Sequence, residues 1–169
     1  MKAEMSERFQ IRSITIDDAA VVSRHRAAMF RDMGVLPLEL MEEMAAMTRD
    51  VIADAVARGE YVGWVTASRS EPDCIVAGAG VQLRRILPFP RAPHGRIQLA
   101  QGRQAIVLNV YTEPPFRRLG FARALMEHVL EWARAAVVES LVLHAAPEGR
   151  PLYESLGFVA TNEMRLEGR

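Results

Sequence analysis

The sequence predicts an α/β (α+β) fold, a mixed, largely antiparallel sheet flanked by helices. Two observations lead there. Apolar periodicity alternates between strand-like and helix-like spacing and gives the element order β-α-α-β-β-β-α-β-α-β. The consecutive strands in the middle form an antiparallel stretch, whereas the strand–helix–strand passage in the second half requires a crossover.

Each element has its own signal. Phe9-Gln10-Ile11-Arg12 alternates apolar and polar side chains and is the first strand. Thr15-Ile16-Asp17-Asp18 has the form of a capping box, with Thr15 as cap and Asp18 three residues on. A helix follows through Ala19–Met33, with Gly34 as its stop, and Pro37 opens a second through Leu38–Ala57, ended by Gly59. Tyr61–Ala67, rich in Val, Trp and Tyr, is a strand, Ser68–Asp73 a turn, and Cys74–Leu83 a longer strand with two glycines. Residues 87–104 carry Pro88, Pro90, Pro93, Gly95 and Gly102 and are expected to form a long loop. Ala105–Thr112 is a strongly apolar strand. Phe121, Leu125, Val129 and Trp132 then recur at helical spacing, with Ala122, Met126 and Ala133 widening the stripe. A strand at Ser140–Ala145, a short helix around Gly149–Leu156 and an extended segment at Phe158–Leu166 complete the chain. No repeat, low-complexity tract or linker interrupts it, so residues 1–169 are expected to form a single domain.

Composition narrows the function. The 169 residues are 50% hydrophobic, enough for one core, and the formal net charge is zero. Bulk electrostatic binding to nucleic acid or to an acidic membrane is therefore not expected. No apolar run approaches the roughly 20 residues that span a bilayer, and MKAEMSERFQIRS has no apolar stretch after its charges, so no signal peptide is expected. The single Cys74 excludes an internal disulfide or a cysteine-rich zinc site; it is a nucleophile or, as its place at the opening of an apolar run favours, a buried small hydrophobe. A cytoplasmic protein is expected.

One helix start stands out. Before the helix that begins near Gly120, where a Ser, Thr, Asp or Asn would accept a hydrogen bond from the first free N–H groups, stand Arg117, Arg118, Leu119 and Gly120. The helix dipole places partial positive charge there, the arginines add to it, and Gly120 and Ala122 let a ligand approach the backbone. Such a start suits an external phosphate; equally, it is a solvated helix end that happens to be basic.

Arg117-Arg118-Leu119-Gly120-Phe121-Ala122 resembles the Arg/Gln-x-x-Gly-x-Gly/Ala signature of the GNAT acetyltransferase superfamily. Val110-Tyr111-Thr112-Glu113-Pro114-Pro115-Phe116 is similar to the family's lead-in to that signature, and Leu152-Tyr153-Glu154-Ser155-Leu156-Gly157-Phe158 to its LYE-x-LGF segment. The resemblance covers nearly the whole chain. It implies acetyl-CoA as cosubstrate, with the backbone of Arg118–Arg123 (Arg118, Leu119, Gly120, Phe121, Ala122, Arg123) and the charge of Arg117 at the pyrophosphate. It also implies that Val110, Tyr111 and Thr112 pair with the pantetheine arm like an added strand. A bulge in that strand would splay it from the next and admit the cosubstrate.

Tyr153 corresponds to the family's tyrosine that protonates the leaving thiolate; the plain alternative is a tyrosine packed on the sheet. No general base identifies itself. Leu141 stands where several relatives have a glutamate, Ala146-Pro147 where many have an asparagine. His144 is either titratable or structural, and Glu113 is expected to be solvated. Asn109, polar inside an apolar strand, faces a substrate groove or bonds a neighbouring element. Met29, Met33, Met41, Met44 and Met47 either pack in the core or wall an acceptor site, which the resemblance places between the first two helices and residues 87–104. There Arg91, His94 and Arg96 either face an anionic acceptor, reach the CoA phosphates or are solvated. Gly78-Ala79-Gly80 lacks the third glycine and the following helix of a dinucleotide loop.

The expected function is acetyl transfer from acetyl-CoA to a primary amine by direct attack in a ternary complex. The acceptor is a small molecule, a protein N-terminus or a lysine. A non-catalytic acetyl-CoA-binding sensor or interaction module on the same fold is the alternative. No metal is expected, and oligomeric state is left open, a homodimer included.

Overall fold

A computed structural model describes residues 7–92, 95–164 and 166. The elements are β1 (Phe9–Ser13), α1 (Ala19–Asp32), α2 (Met41–Ala57), β2 (Tyr61–Ser68), β3 (Ile75–Arg85), β4 (Phe89–Arg91), β5 (Gln98–Ala100), β6 (Arg103–Thr112), α3 (Phe121–Ala135), β7 (Ser140–Leu143) and α4 (Arg150–Ser155). Five strands pair in the order β1-β2-β3-β6-β7, antiparallel except for β6–β7, which is parallel. That parallel pair is the crossover made by α3. The mixed sheet flanked by helices agrees with the expectation from sequence.

The two faces of the sheet bury different helices. On one, Phe121, Leu125, Met126 and Val129 of α3 pack against Trp64, Ala77, Ala79, Val81 and Val107. Leu125, Met126 and Val129 have no exposed surface, so the apolar stripe read from sequence is the one that docks. On the other, Ala19 and Val22 of α1 and Ile52 and Ala55 of α2 pack with Tyr61. Helix α1 is anchored at its start by charge. Asp18 is buried; Arg12 forks onto its two oxygens at 2.7 and 2.8 Å, and the Thr15 N–H donates at 2.8 Å. The Arg12 guanidinium holds the Asp18 carboxyl below its usual range, against the opposing effect of burial.

Three expectations are corrected. Residues 87–104 are not a plain loop: β4 and β5 form a separate two-stranded antiparallel ladder there. Pro90 is tolerated because a two-strand ladder leaves alternate N–H groups unpaired. Cys74 is exposed, because it precedes the ladder and sits at the end of the turn. The extended segment after α4 joins no strand among the described residues. Phe158 turns back onto Tyr153, 6.0 Å between ring centroids, while Val159 and Met164 stay exposed. Among the described residues, no helix is long and apolar enough to cross a membrane.

Asp18→Ala should lower stability by about 2 kcal/mol, the scale of hydrogen bonds to a buried charge, measured by urea unfolding. Because the folded carboxyl titrates below the unfolded one, its contribution is full above about pH 4 and is lost as pH falls through the folded value. The gap between wild type and Asp18→Ala should therefore narrow in acid.

Candidate active site

The site is built on an irregularity in β6. Gly78 pairs with Tyr111 and Gly80 with Leu108, so Asn109 and Val110 together face the single residue Ala79. This is a bulge, and Asn109 takes a left-handed backbone, φ 57°, which asparagine adopts more readily than most residues. Below the bulge, Gln104–Val107 pairs with β7; above it, among the described residues, Leu108–Thr112 has no partner on the β7 side. The strand pair is splayed, leaving an open main-chain edge.

On the helical side of the bulge the Asn109 side chain is bonded twice. Its Oδ1 accepts from Arg26 of α1 at 2.6 Å and its Nδ2 donates to the Tyr61 hydroxyl at 2.9 Å. Tyr61 reaches it by lying across two glycines, Gly63 and Gly80, that face each other on β2 and β3. A Cβ on Gly80 would stand 1.7 Å from the Tyr61 oxygen and 2.2 Å from Cζ. Burial pushes the Tyr61 hydroxyl up to about 12, although Asn109 and Arg26 oppose the shift. It remains a neutral donor–acceptor at any ordinary pH.

Arg26, Tyr61 and Asn109 form the polar end of a cleft of about 570 Å³ between α1, α2 and the sheet. Leu36, Leu40, Met44, Met47, Val51 and Ile52 supply its apolar walls, and Glu43 and Gln82 also line it. Met44 and Met47 thus face the cleft, one of the two readings of the methionine-rich helices. None of the described residues of 87–104 lines it. Arg91 instead reaches the Glu139 carbonyl at 3.4 Å, and the Glu139 carboxylate accepts from the N–H groups of Gln101 and Arg103, both at 2.9 Å. This segment is docked on the α3–β7 connection. Arg96 is exposed, and His94 lies outside the described residues.

At the other end of the open edge, Gly120 caps α3 with φ 93°, and no side chain accepts from the helix's first N–H groups among the described residues. The first bond into the helix is from the Ala124 N–H to the Gly120 carbonyl at 3.0 Å. A Cβ on Gly120 would meet nothing within 4 Å, so the space in front of the cap is open. Arg118 is exposed with φ 65°. Leu119 is exposed, Ala122 half-buried, and Phe121 buried against Phe9 at 5.1 Å. The Arg123 guanidinium donates to Ser155 Oγ at 2.6 Å. Arg117 turns back from the helix start: it pairs with Asp32 at the end of α1, and its Nε donates to the Thr112 carbonyl at 3.0 Å. Burial alone would raise the Asp32 carboxyl; Arg117 and Arg31 outweigh it and hold it low. Val110 is half-buried, while Tyr111 is buried beneath the Arg117 guanidinium, 5.6 Å from its ring centroid.

Glu113 is not simply solvated. Its Oε1 lies 3.2 Å from Nε2 of buried His25, within ion-pair distance but outside the N–H direction needed for a good hydrogen bond. Burial lowers the His25 pKa, with Glu113 opposing. His144 pairs with Glu163 at 2.9 Å. Tyr153 is partly buried against the α3-side core, and its hydroxyl has no hydrogen-bond partner among the described residues. Burial raises its pKa.

The acetyltransferase (GNAT) family model matches residues 26–158, which include the bulge, the uncapped helix start and Tyr153. The chain belongs to the GNAT family. The crystal structure of a GCN5-related N-acetyltransferase from Ralstonia eutropha JMP134 is 31% identical, over 94% of this chain and 97% of that one, with a TM-score of 0.79. A predicted acetyltransferase from Clostridium acetobutylicum, crystallised with acetyl-CoA, shares the fold at 22% identity (95% and 96% covered, TM-score 0.76). So does glucosamine-6-phosphate N-acetyltransferase from Arabidopsis thaliana, at 14% identity (95% and 97% covered, TM-score 0.65). No curated protein matches the sequence.

In this GNAT chain, sequence reasoning found Asn109 but not Arg26 or Tyr61. The available signal was the pair of glycines, Gly63 and Gly80, in neighbouring apolar strands. Together they leave a hole that only a ring from the same face fills. Gly80→Ala should therefore be strongly destabilising in the wild type and nearly neutral in a Tyr61→Ala background. Chemical denaturation of the four proteins of this cycle should give a coupling of about 2 kcal/mol; additive effects would contradict the packing described.

Proposed function

We propose that the chain transfers the acetyl group of acetyl-CoA to a primary amine by direct attack in a ternary complex. Acetyl-CoA is the family's acetyl donor, and it supplies the activated thioester. The observation that carries the proposal is continuity: the open edge of β6 runs from the uncapped start of α3 to the bulge, and the bulge opens onto the cleft.

Each end has a task. The N–H groups of Arg118–Arg123, with the exposed charge of Arg118, hold the pyrophosphate; Arg117, tied to Asp32, braces the loop instead of meeting the ligand directly. Val110–Thr112 offer main-chain groups to the pantetheine arm, and N–H groups near the bulge polarise the thioester carbonyl. The acceptor enters through the α1–α2 cleft. The acceptor ammonium first gives one proton to water in the cleft, which Glu43 also lines. The neutral nitrogen then forms the new N–C bond and loses its second proton to water as the C–S bond breaks. Tyr153 delivers its proton to the departing sulfur and is reprotonated from solvent. Its raised pKa keeps that proton in place at neutral pH until it is needed.

Two variants test this. Gly120→Val should remain folded yet lose the rise in melting temperature that acetyl-CoA produces, because a branched side chain fills the approach and φ 93° disfavours it. Unchanged acetyl-CoA affinity in a folded variant would remove the pyrophosphate from this helix. Tyr153→Phe should lower kcat by about 10²-fold, the lower range of acid–base catalysis, with acetyl-CoA affinity nearly unchanged. Equal turnover, followed as release of CoA thiol over an amine panel, would leave Tyr153 a packing residue.

A further inference from the structure

The cleft contains a charge without a counter-charge. Arg12, Arg31, Arg58 and Arg117 each reach a carboxylate. Arg26, half-buried, reaches none among the described residues. Its partners are the neutral Asn109 oxygen at 2.6 Å and the face of Phe30, 4.9 Å from guanidinium carbon to ring centroid. Glu43 lines the same cleft, but among the described residues no ion pair joins it to Arg26. A guanidinium withdrawn from water is costly unless an anion meets it. Asn109 takes one arm of the fork, and Arg26 lines a cleft walled mainly by aliphatic and thioether side chains, with Glu43, Thr48 and Gln82 as further polar members.

We propose that the acceptor is an apolar primary amine that also carries a carboxylate, and that Arg26 binds this carboxylate. The inference rests on the cleft's being the acceptor site. The apolar body fills the space beside Met44, Met47 and Val51, the carboxylate completes the coordination of Arg26, and the amine is left toward the bulge. Because Arg26 also holds Asn109, the group that recognises the acceptor also braces the bulge. A single fork in an apolar cleft suits one planar carboxylate. Amines without a carboxylate would leave the half-buried charge uncompensated. A cation facing an anionic acceptor, one of the roles the sequence left open for residues 87–104, is here assigned to α1; no described residue of that segment lines the cleft.

The test uses the full chain and matched acceptors: L-leucine against 3-methylbutylamine, and L-phenylalanine against 2-phenylethylamine, with CoA thiol release as readout. Calorimetric binding of N-acetyl-L-phenylalanine and of N-acetyl-2-phenylethylamine to the CoA-loaded protein runs in parallel. The carboxylates should show at least about tenfold higher kcat/KM, the size of one charge-assisted hydrogen bond. Arg26→Gln, which keeps a donor for Asn109, should abolish the preference. Arg26→Lys, which keeps the charge and loses the fork, should raise KM for the carboxylates and shrink their advantage over the decarboxylated amines. It also serves as the test if Arg26→Gln does not fold. Equal turnover of the decarboxylated amines, a preference that survives in Arg26→Gln, or an unchanged KM in Arg26→Lys would overturn the assignment while leaving acetyl transfer intact. If no amine releases thiol, binding decides. Selective binding of the N-acetyl carboxylate that Arg26 substitution removes would uphold the anion site and overturn the catalytic reading. Equal or absent binding of both compounds would overturn the anion site.

Discussion

The site depends on one residue of backbone irregularity, the left-handed Asn109 in β6. A non-glycine residue in that conformation costs about 1–2 kcal/mol, and the surrounding structure holds it by bonding both ends of its side chain, to Arg26 and to Tyr61. Two consequences follow from the same bulge. Above it β6 stops pairing with β7 and keeps an open main-chain edge; beside it the Asn109 amide turns into the cleft between the helices and the sheet. The edge and the cleft therefore meet at a fixed point, the requirement for bringing a thioester and an amine together.

Helix α1 spans the two halves of the site. Arg26 holds the bulge from its middle, and Asp32 at its end pairs with Arg117 in the loop leading into α3. Its start is fixed by the Arg12–Asp18 fork at the end of β1. A shift of this helix would move the α1–α2 cleft and the loop before the open start of α3 together. Buried His25 and half-buried Glu113 pair between these anchors and tie the helix to the residue that follows β6.

Much of this was legible in the sequence, and what was not has physical causes. The α3 stripe, the uncapped start at Gly120 and the LYE-x-LGF segment are local patterns, and each lies on the element expected. The bulge was expected only through the family resemblance, and Asn109 was visible as a misfit in an apolar strand without a stated partner. Tyr61 and Arg26 escaped because their role depends on strand register. Only the pairing of Gly63 with Gly80 shows why a tyrosine at position 61 reaches position 109. The prolines and glycines of residues 87–104 point to a loop; proline breaks central strands but does not exclude a two-strand ladder. The same distance from local pattern explains Arg91: its partner, the Glu139 carbonyl, comes from the far side of α3.

Amide hydrogen exchange of the full chain with and without acetyl-CoA tests the central claim most directly, since it reads the main-chain groups on which the proposal rests. The account predicts that acetyl-CoA slows exchange at Val110–Thr112 and at Arg118–Arg123, with β1 and β2 unchanged. Slowed exchange confined to other segments, with those two unaffected, would contradict it.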